Sequence, residues 1–185
     1  TILCAAAVVD RYGERKEYPI TGDEKEILEK LTDVVRTEDP DFITGYNIDN
    51  FDLPRIAERV EALGGRKDAA RRLAMFGWGR TPQDASDLRR QRESVVPKRA
   101  STRAWTLGGR CVMDAWWQAR MALRPQRETL AFVSALLFPE DAERQKMDVD
   151  ASRMDEEWAA RPDVVLEYCR RDAALPLDIL HALQI

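Results

Sequence analysis

Hydrophobic and polar positions alternate in blocks along this chain, and the blocks predict an α/β order. Ile2 to Val9 is a short apolar run of the kind a buried strand shows. Tyr12-Gly13-Glu14 reads as a turn, and Lys16 to Ile20 as the returning strand. After Gly22-Asp23, the residues Ile27, Leu28, Leu31, Val34 and Val35 recur at helical spacing with charges between them. Asp39-Pro40-Asp41 ends that helix, and Phe42 to Tyr46 predicts a short strand. Asn47 to Asn50 is a polar loop in which Asp49 or Asn50 could cap the next helix. That helix carries Leu53, Ile56, Val60 and Leu63 and stops at Gly64-Gly65.

Residues 66–109 have weaker periodicity and are punctuated by Gly77, Gly79, Pro82 and Pro97. They predict an excursion with a hairpin whose return begins near Gly108-Gly109. Arg110 to Asp114 reads as a strand, Ala115 to Leu123 as a helix, and Glu128 to Phe138 as a buried helix. Asp141 to Asp155 reads as polar connection. Pro162 suits the first turn of a long last helix, with Val165, Leu166, Cys169, Ala173, Leu177 and Leu180 as its apolar stripe and Pro176 as a potential kink. Strands alternating with helices predict a mixed sheet covered by helices.

The chain has 185 residues, the length of one domain. Its 29 basic and 33 acidic residues give a net charge of −4, which taken whole argues against a non-specific nucleic-acid binder. The total hides a division: residues 66–127 carry a net +10 and the remainder −14. Arg89-Arg90-Gln91-Arg92 and Lys98-Arg99 could contact phosphates or form a solvated face. Trp105, Trp116 and Trp117 could stack on bases or pack internally. The cysteines Cys4, Cys111 and Cys169 lie far apart in apolar stretches, and the only histidine is His181. This excludes a Cys/His zinc site or disulfide scaffold and predicts buried thiols in a reducing, cytoplasmic setting. No apolar run is long enough to span a membrane. The chain opens with Thr1 inside an apolar run, which reads as a domain excised from a longer chain.

Two segments carry chemistry. In Gly45-Tyr46-Asn47-Ile48-Asp49-Asn50-Phe51-Asp52, a strand ends, a polar loop turns, and Asp52 falls at the next helix start. Such junctions are where open α/β sheets bind ligands. In Tyr168-Cys169-Arg170-Arg171-Asp172, the i,i+4 spacing sets a phenol and a carboxylate on one helix face. Taken singly, Asp52 could serve the positive end of a helix, Asp172 a surface ion pair, and Tyr168 the core.

Together, in this order, the segments resemble the 3′–5′ proofreading exonuclease domain of archaeal-type family B DNA polymerases, in the DEDDy subclass of the ribonuclease H-like nucleases. Asn47, Phe51 and Asp52 match the family motif N-x-x-x-F/Y-D, and Tyr168 and Asp172 match Y-x-x-x-D. Thr129-Leu130-Ala131-Phe132-Val133 fits a Ser/Thr-Leu segment that touches single-stranded DNA. Gly22-Asp23-Glu24-Lys25-Glu26, the run Asp39 to Asn47, and Asp114-Ala115-Trp116-Trp117 add to the likeness, which covers essentially the whole chain. The histidine variant of the third motif would need His at position 167, where this chain has Glu167. His181 is therefore expected to be an exposed or helix-end residue.

The resemblance implies a ribonuclease H-like mixed sheet flanked by helices. It implies hydrolysis of the 3′-terminal phosphodiester with two Mg²⁺ (or Mn²⁺) ions about 3.5–4 Å apart. Asp52 and Asp172 would be metal ligands, and Tyr168 would orient the attacking water. Phe51 would stack on a frayed 3′ end, and Asn47, Thr129 and Leu130 would position that strand. The implied partners are the 3′ end of single-stranded DNA and the polymerase domain of the same protein. The implied location is the cytoplasm of a prokaryotic, archaeal-type cell, at the nucleoid. The family's first motif, D-x-E on the strand before Ile2 to Val9, has no match at that place. The chain as given is therefore expected to bind metal weakly and to hydrolyse little or no DNA. The strand that carries the motif is central in this fold, so its absence should expose sheet edges through which two copies could pair as a homodimer. The rival expectations are a non-catalytic, exonuclease-like scaffold and, less favoured, a stand-alone exonuclease.

Overall fold

The computed structural model describes residues 1–64, 68–80, 89–92, 103–144, 147 and 149–185. The chain begins with an antiparallel hairpin, β1 (Ala5–Arg11) and β2 (Glu14–Ile20), in which Ala5 pairs with Ile20 and Arg11 with Glu14. Tyr12 and Gly13 both take positive φ in its turn. Helix α1 (Glu24–Glu38) follows, started by a capping box: Asp23 accepts the Glu26 N–H at 2.9 Å, and Glu26 accepts the Asp23 N–H at 3.3 Å. It ends at Asp39 in the left-handed region. Strand β3 (Phe42–Gly45) leads through a tight loop to α2 (Asp52–Gly64).

Helix α3 (Ala69–Phe76) lies where the sequence suggested only an excursion. Arg89–Arg92 (β4) and Arg103–Thr106 (β5) form an antiparallel hairpin, so its return strand starts at Arg103, earlier than the Gly108-Gly109 position expected. Gly108 and Gly109 instead make the turn joining β5 to β6 (Cys111–Asp114), closed by a bridge between Leu107 and Arg110. Lys98-Arg99, and the side chains of Arg89 to Arg92, lie outside the described structure. Helices α4 (Ala115–Leu123) and α5 (Leu130–Leu137) follow. The segment expected to be polar connection contains two short 3₁₀ turns and the start of a helix, α6 (Met154–Ala160). The last helix, α7 (Pro162–Ala182), starts with proline in its first turn and runs continuously through Pro176.

The strands form three two-stranded ladders: β1–β2 and β4–β5 antiparallel, β3–β6 parallel. Among the described residues β1 and β3 do not pair with each other; both pack on α7 instead. β1 is half-buried along Ala5 to Asp10, not the fully buried strand its apolar run suggests. The buried positions of α7 also differ from the expected stripe. They are Val165, Tyr168, Leu175, Pro176, Asp178, Ile179 and Leu180, because strands cover one side of the helix and α4 and α5 another.

Two apolar clusters flank the parallel ladder. Leu28, Val35, Ile48, Leu53, Ile56, Val60, Met75, Phe76 and Trp78 form one among α1, α2 and α3. Ala119, Val133 and Ile179 center the other among α4, α5 and α7. The first contains a buried polar pair: the Trp78 Nε1–H donates to Thr32 Oγ1 at 3.0 Å, with Thr32 fully enclosed. Replacing Thr32 by the near-isosteric Val keeps the packing but strands the indole N–H. Thr32→Val should cost about 1–3 kcal/mol of unfolding free energy, read from a shifted urea midpoint at unchanged m-value.

Candidate active site

The parallel register sets Gly45 beside Asp114 at the carboxyl ends of β3 and β6. Ligand sites of open α/β sheets gather at such ends. From Gly45 the chain doubles back so closely that a Cβ there would lie 3.0 Å from the Ile48 side chain. Asn47 takes φ of +64°, a conformation Asn tolerates better than most residues. Its carbonyl accepts the N–H groups of Asn50 and Phe51 at 3.1 and 3.0 Å. Its side-chain oxygen accepts the Asn50 amide at 2.7 Å. Helix α2 then begins at Asp52.

What holds this loop is Asp114, a carboxylate only 5% exposed. It accepts the backbone N–H of Asn47 at 2.8 Å, of Asp49 at 3.3 Å, and of Trp116 at 3.0 Å, so it clamps the loop while capping α4. The Trp105 indole donates to the Asp49 carbonyl at 2.7 Å and pins the loop from β5. Sequence reading saw Asp114 only as part of a family-like segment. The local signal was an acid at an N-cap position directly after the apolar strand residues Cys111-Val112-Met113.

Five of the seven site residues singled out from sequence share one cavity, and Asp52 and Tyr168 are not among its lining residues. Asn47, Phe51, Thr129, Leu130 and Asp172 line one cavity of about 330 Å³, with Tyr46, Trp116 and Glu128 completing the wall. Phe51 presents its ring to solvent at 68% exposure. Thr129 caps α5 by accepting the Phe132 N–H at 3.3 Å, which fixes Leu130 at the first turn. The Tyr46 hydroxyl donates to the Glu128 carbonyl at 2.9 Å and ties the β3 end to that segment. On α7 the buried Tyr168 donates its phenolic hydrogen to Asp172, as the i,i+4 spacing predicts. Of the aromatic residues weighed for stacking, Trp116 lines the cavity, with Arg120 5.5 Å from its ring. Trp105 packs on the first core cluster.

The electrostatics are those of crowded acids. Burial raises Asp114 above the usual carboxylate range, against the pull of its N–H donors. Burial and the Asp114 charge push Asp49 up to about 7. Asp52 is pushed up to about 6, first by desolvation and then by Asp114 and Asp172; its surface stays open to solvent, which moderates the desolvation. Burial and the bond to Asp172 hold the Tyr168 phenol well above the ordinary tyrosine range. Thr44 Oγ1 and Asp49 Oδ1 are among the buried side-chain atoms with no hydrogen-bond partner among the described residues.

Residues 10–128 match the family profile described as the exonuclease domain of DNA polymerase family B. This chain belongs to that family. Thr129, Leu130, Tyr168 and Asp172 lie beyond the matched segment. The exonuclease domain is 34% identical over 170 residues to the DNA polymerase delta catalytic subunit of Caenorhabditis elegans, covering 86% of this chain and 14% of that protein. It is 32% identical to the Plasmodium falciparum delta subunit, with 87% of this chain and 14% of that one covered. A shorter stretch of 47 residues, 25% of this chain and 3% of its relative, is 45% identical to a DNA polymerase of Thermococcus litoralis. The family B DNA polymerase of the archaeon Pyrobaculum calidifontis superposes with a TM-score of 0.66 at 21% identity, over 93% of this chain and 20% of that one. The fold is thus that of a family B polymerase exonuclease domain, and the chain spans about one seventh of the delta subunits it matches. No helix among the described residues is long and apolar enough to cross a membrane.

Two outcomes follow from this geometry. Asp114→Ala removes the acceptor shared by three N–H groups. Each buried donor left unsatisfied costs about 1–3 kcal/mol. The amides of Asn47 and Asp49 should exchange with deuterium faster than in the parent protein, whereas those of α1 should shift only with global stability. The second outcome is a dependence on pH. The raised Asp49 and Asp52 bind protons more tightly folded than unfolded, so their contribution to stability falls as pH rises from about 4 to about 7 and is level above that. Glu167, held near 2 by Arg170 and Arg171, acts in the opposite sense, but only below its ordinary value of 4.5. Urea midpoints measured from pH 5 to pH 8 should therefore decline less steeply in Asp49→Asn than in the parent chain.

Proposed function

We propose that this domain is the 3′–5′ editing exonuclease of a DNA-directed DNA polymerase, and that its cavity receives the frayed 3′ end of single-stranded DNA. The observation that carries this reading is the single cavity shared by Asn47, Phe51, Thr129, Leu130 and Asp172, with Tyr168 bonded to Asp172 at its edge. Its size, about 330 Å³, sits at the low end of ligand pockets, which suits one terminal nucleotide better than a duplex. The exposed Phe51 ring offers a sequence-tolerant stacking face, worth about 1–3 kcal/mol per base.

The acids fit hard divalent cations such as Mg²⁺ or Mn²⁺. Asp52 and Asp172 offer only oxygen and repel each other, and Asp52 also feels the buried Asp114. In this reading Asp52 and Asp172 hold the ions. Divalent ions at such sites lower the pKa of bound water and stabilize charge on the attacking and leaving oxygens. Tyr168 stays a neutral phenol near pH 7, so it orients Asp172 and the incoming water instead of taking a proton. Asn47 and Thr129 position the strand, and Leu130 packs beside it.

Among the described residues no group of three or more acidic, histidine or cysteine side chains is arranged to hold an ion. Asp52 and Asp172 therefore make up part of the ligand set, and the reading assigns the rest to a D-x-E pair on another segment. The 185-residue chain by itself then hydrolyzes DNA slowly or not at all.

Metal-dependent release of nucleotides from a 3′-labelled single strand tests this, comparing the chain alone with a version that includes the D-x-E segment of its parent protein. The longer protein should be active with Mg²⁺ or Mn²⁺. In it Tyr168→Phe should slow release about 10- to 100-fold, as loss of a hydrogen bond to a metal-ligating group does, and Asp172→Asn should slow it more. Vigorous activity of the short chain would overturn the partial-site reading. An inactive longer protein that still binds single-stranded DNA would favor the scaffold.

A further inference from the structure

Two thiols meet beside the catalytic helix. Cys4 sits just before β1 and Cys169 lies on α7 between Tyr168 and Asp172; 165 positions separate them, yet their Sγ atoms are 3.4 Å apart. Both are half-buried, in contrast to the sequence expectation of buried thiols, and Cys111 is exposed at the start of β6. A small oxidant can therefore reach the pair. An S–S bond is about 2.05 Å long, so closure asks the sulfurs to approach by only about 1.4 Å.

We propose that Cys4 and Cys169 form a redox modification site that a hydroperoxide converts into an intramolecular disulfide joining the N-terminal segment to α7. The chemistry takes two steps. The Cys4 thiolate attacks the peroxide, the O–O bond breaks, and Cys4 becomes a sulfenic acid while the leaving oxygen, with a proton, departs as water or an alcohol. The Cys169 sulfur then attacks the Cys4 sulfur. The S–S bond forms, the sulfenic hydroxyl leaves with the Cys169 proton as water, and the two thiols have given two electrons to the peroxide. The hydrogen bond between the thiols suits these roles, because it lowers Cys4 and raises Cys169 relative to an ordinary cysteine. The exposed Cys111 has no second cysteine beside it among the described residues. The link spans most of the chain, so it restricts the unfolded ensemble strongly. It also fixes the backbone between Tyr168 and Asp172 against the strand below. The reaction itself does not depend on the nuclease reading.

The test uses the full reduced chain, exposed to hydrogen peroxide, quenched, denatured, alkylated with iodoacetamide and mapped without reduction. The expected result is a Cys4–Cys169 linked peptide lighter by two hydrogens, alkylation confined to Cys111, reversal by dithiothreitol, and a higher melting temperature for the oxidized chain. In Cys169→Ser the link should vanish and Cys4 should be trapped by dimedone as the sulfenic acid. Recovery of Cys4 and Cys169 both alkylated after peroxide, or links to Cys111 as abundant as the Cys4–Cys169 link, would overturn the proposal.

Discussion

The hydrogen bonds that one buried carboxylate accepts from the backbone above it organize the cleft. Asp114 is delivered to the end of β6 by pairing with Gly45. There it satisfies N–H groups of a loop too tight to satisfy them itself. Loop residues 47–50 thereby acquire a fixed shape without regular secondary structure, and Phe51 and Asp52 emerge from it at the head of α2. The same group that orders the loop also crowds it. Its charge lies under Asp49 and Asp52 and makes both harder to ionize. Burial is the larger cause of the tension on Asp49 and Asp52, and the carboxylate that orders the loop adds to it.

The second constraint is α7, which joins ladders that do not join each other. β1–β2 and β3–β6 both pack on this helix. Part of its attachment to the first ladder is ionic: Arg15 meets the buried Asp178 at 2.8 Å, and Arg170, which also pairs with Glu167 on its own helix at 2.7 Å, reaches Glu17 at 2.6 Å. Exposed pairs of this kind add little stability, but a buried one penalizes any register that separates its members. Asp178 therefore acts more as a locator of the helix than as its glue. Pro176 has no N–H to give to the carbonyl one turn earlier, that of Asp172. The helix ladder is thus interrupted at the residue that faces the cavity.

Much of this was legible in the chain, for identifiable reasons. Gly22-Asp23 with the spacing of Ile27, Leu28, Leu31, Val34 and Val35, the run Ala115 to Leu123, and Pro162 announced helices that tertiary contacts reinforce. The cavity residues were legible because motif spacing survives whatever lies between the motifs. Helix α3 was missed because its eight residues are too few to establish a period and two of them are arginines, of which Arg71 is exposed. Helix α6 was missed because its first turn holds Asp155, Glu156 and Glu157, a composition shared with loops. The Gly108-Gly109 turn was seen but assigned to the wrong hairpin, since glycines mark a turn without saying which strands it joins. Asp114 was the largest omission. An acid after a strand reads as a helix cap, and nothing local reveals that it also reaches N–H groups 65 and 67 positions away.

The charge pattern takes on a different meaning beside this geometry. A chain of net −4 with Asp49, Asp52, Asp114 and Asp172 gathered at one cleft is not simply ill-suited to DNA. Carboxylates that crowd until some hold protons near neutral pH have two ways to relieve the repulsion: a proton or a cation. Protonation costs nothing in ordering but removes the ligand. A divalent ion keeps both carboxylates charged and replaces their mutual repulsion with attraction, so it competes with protons for the same oxygens. In the proposed site, cation binding should therefore release protons, and affinity should climb as pH passes the raised values of the cleft acids. In the proposed function, ions held there would also turn the field of the cleft from one that repels a phosphate to one that attracts it.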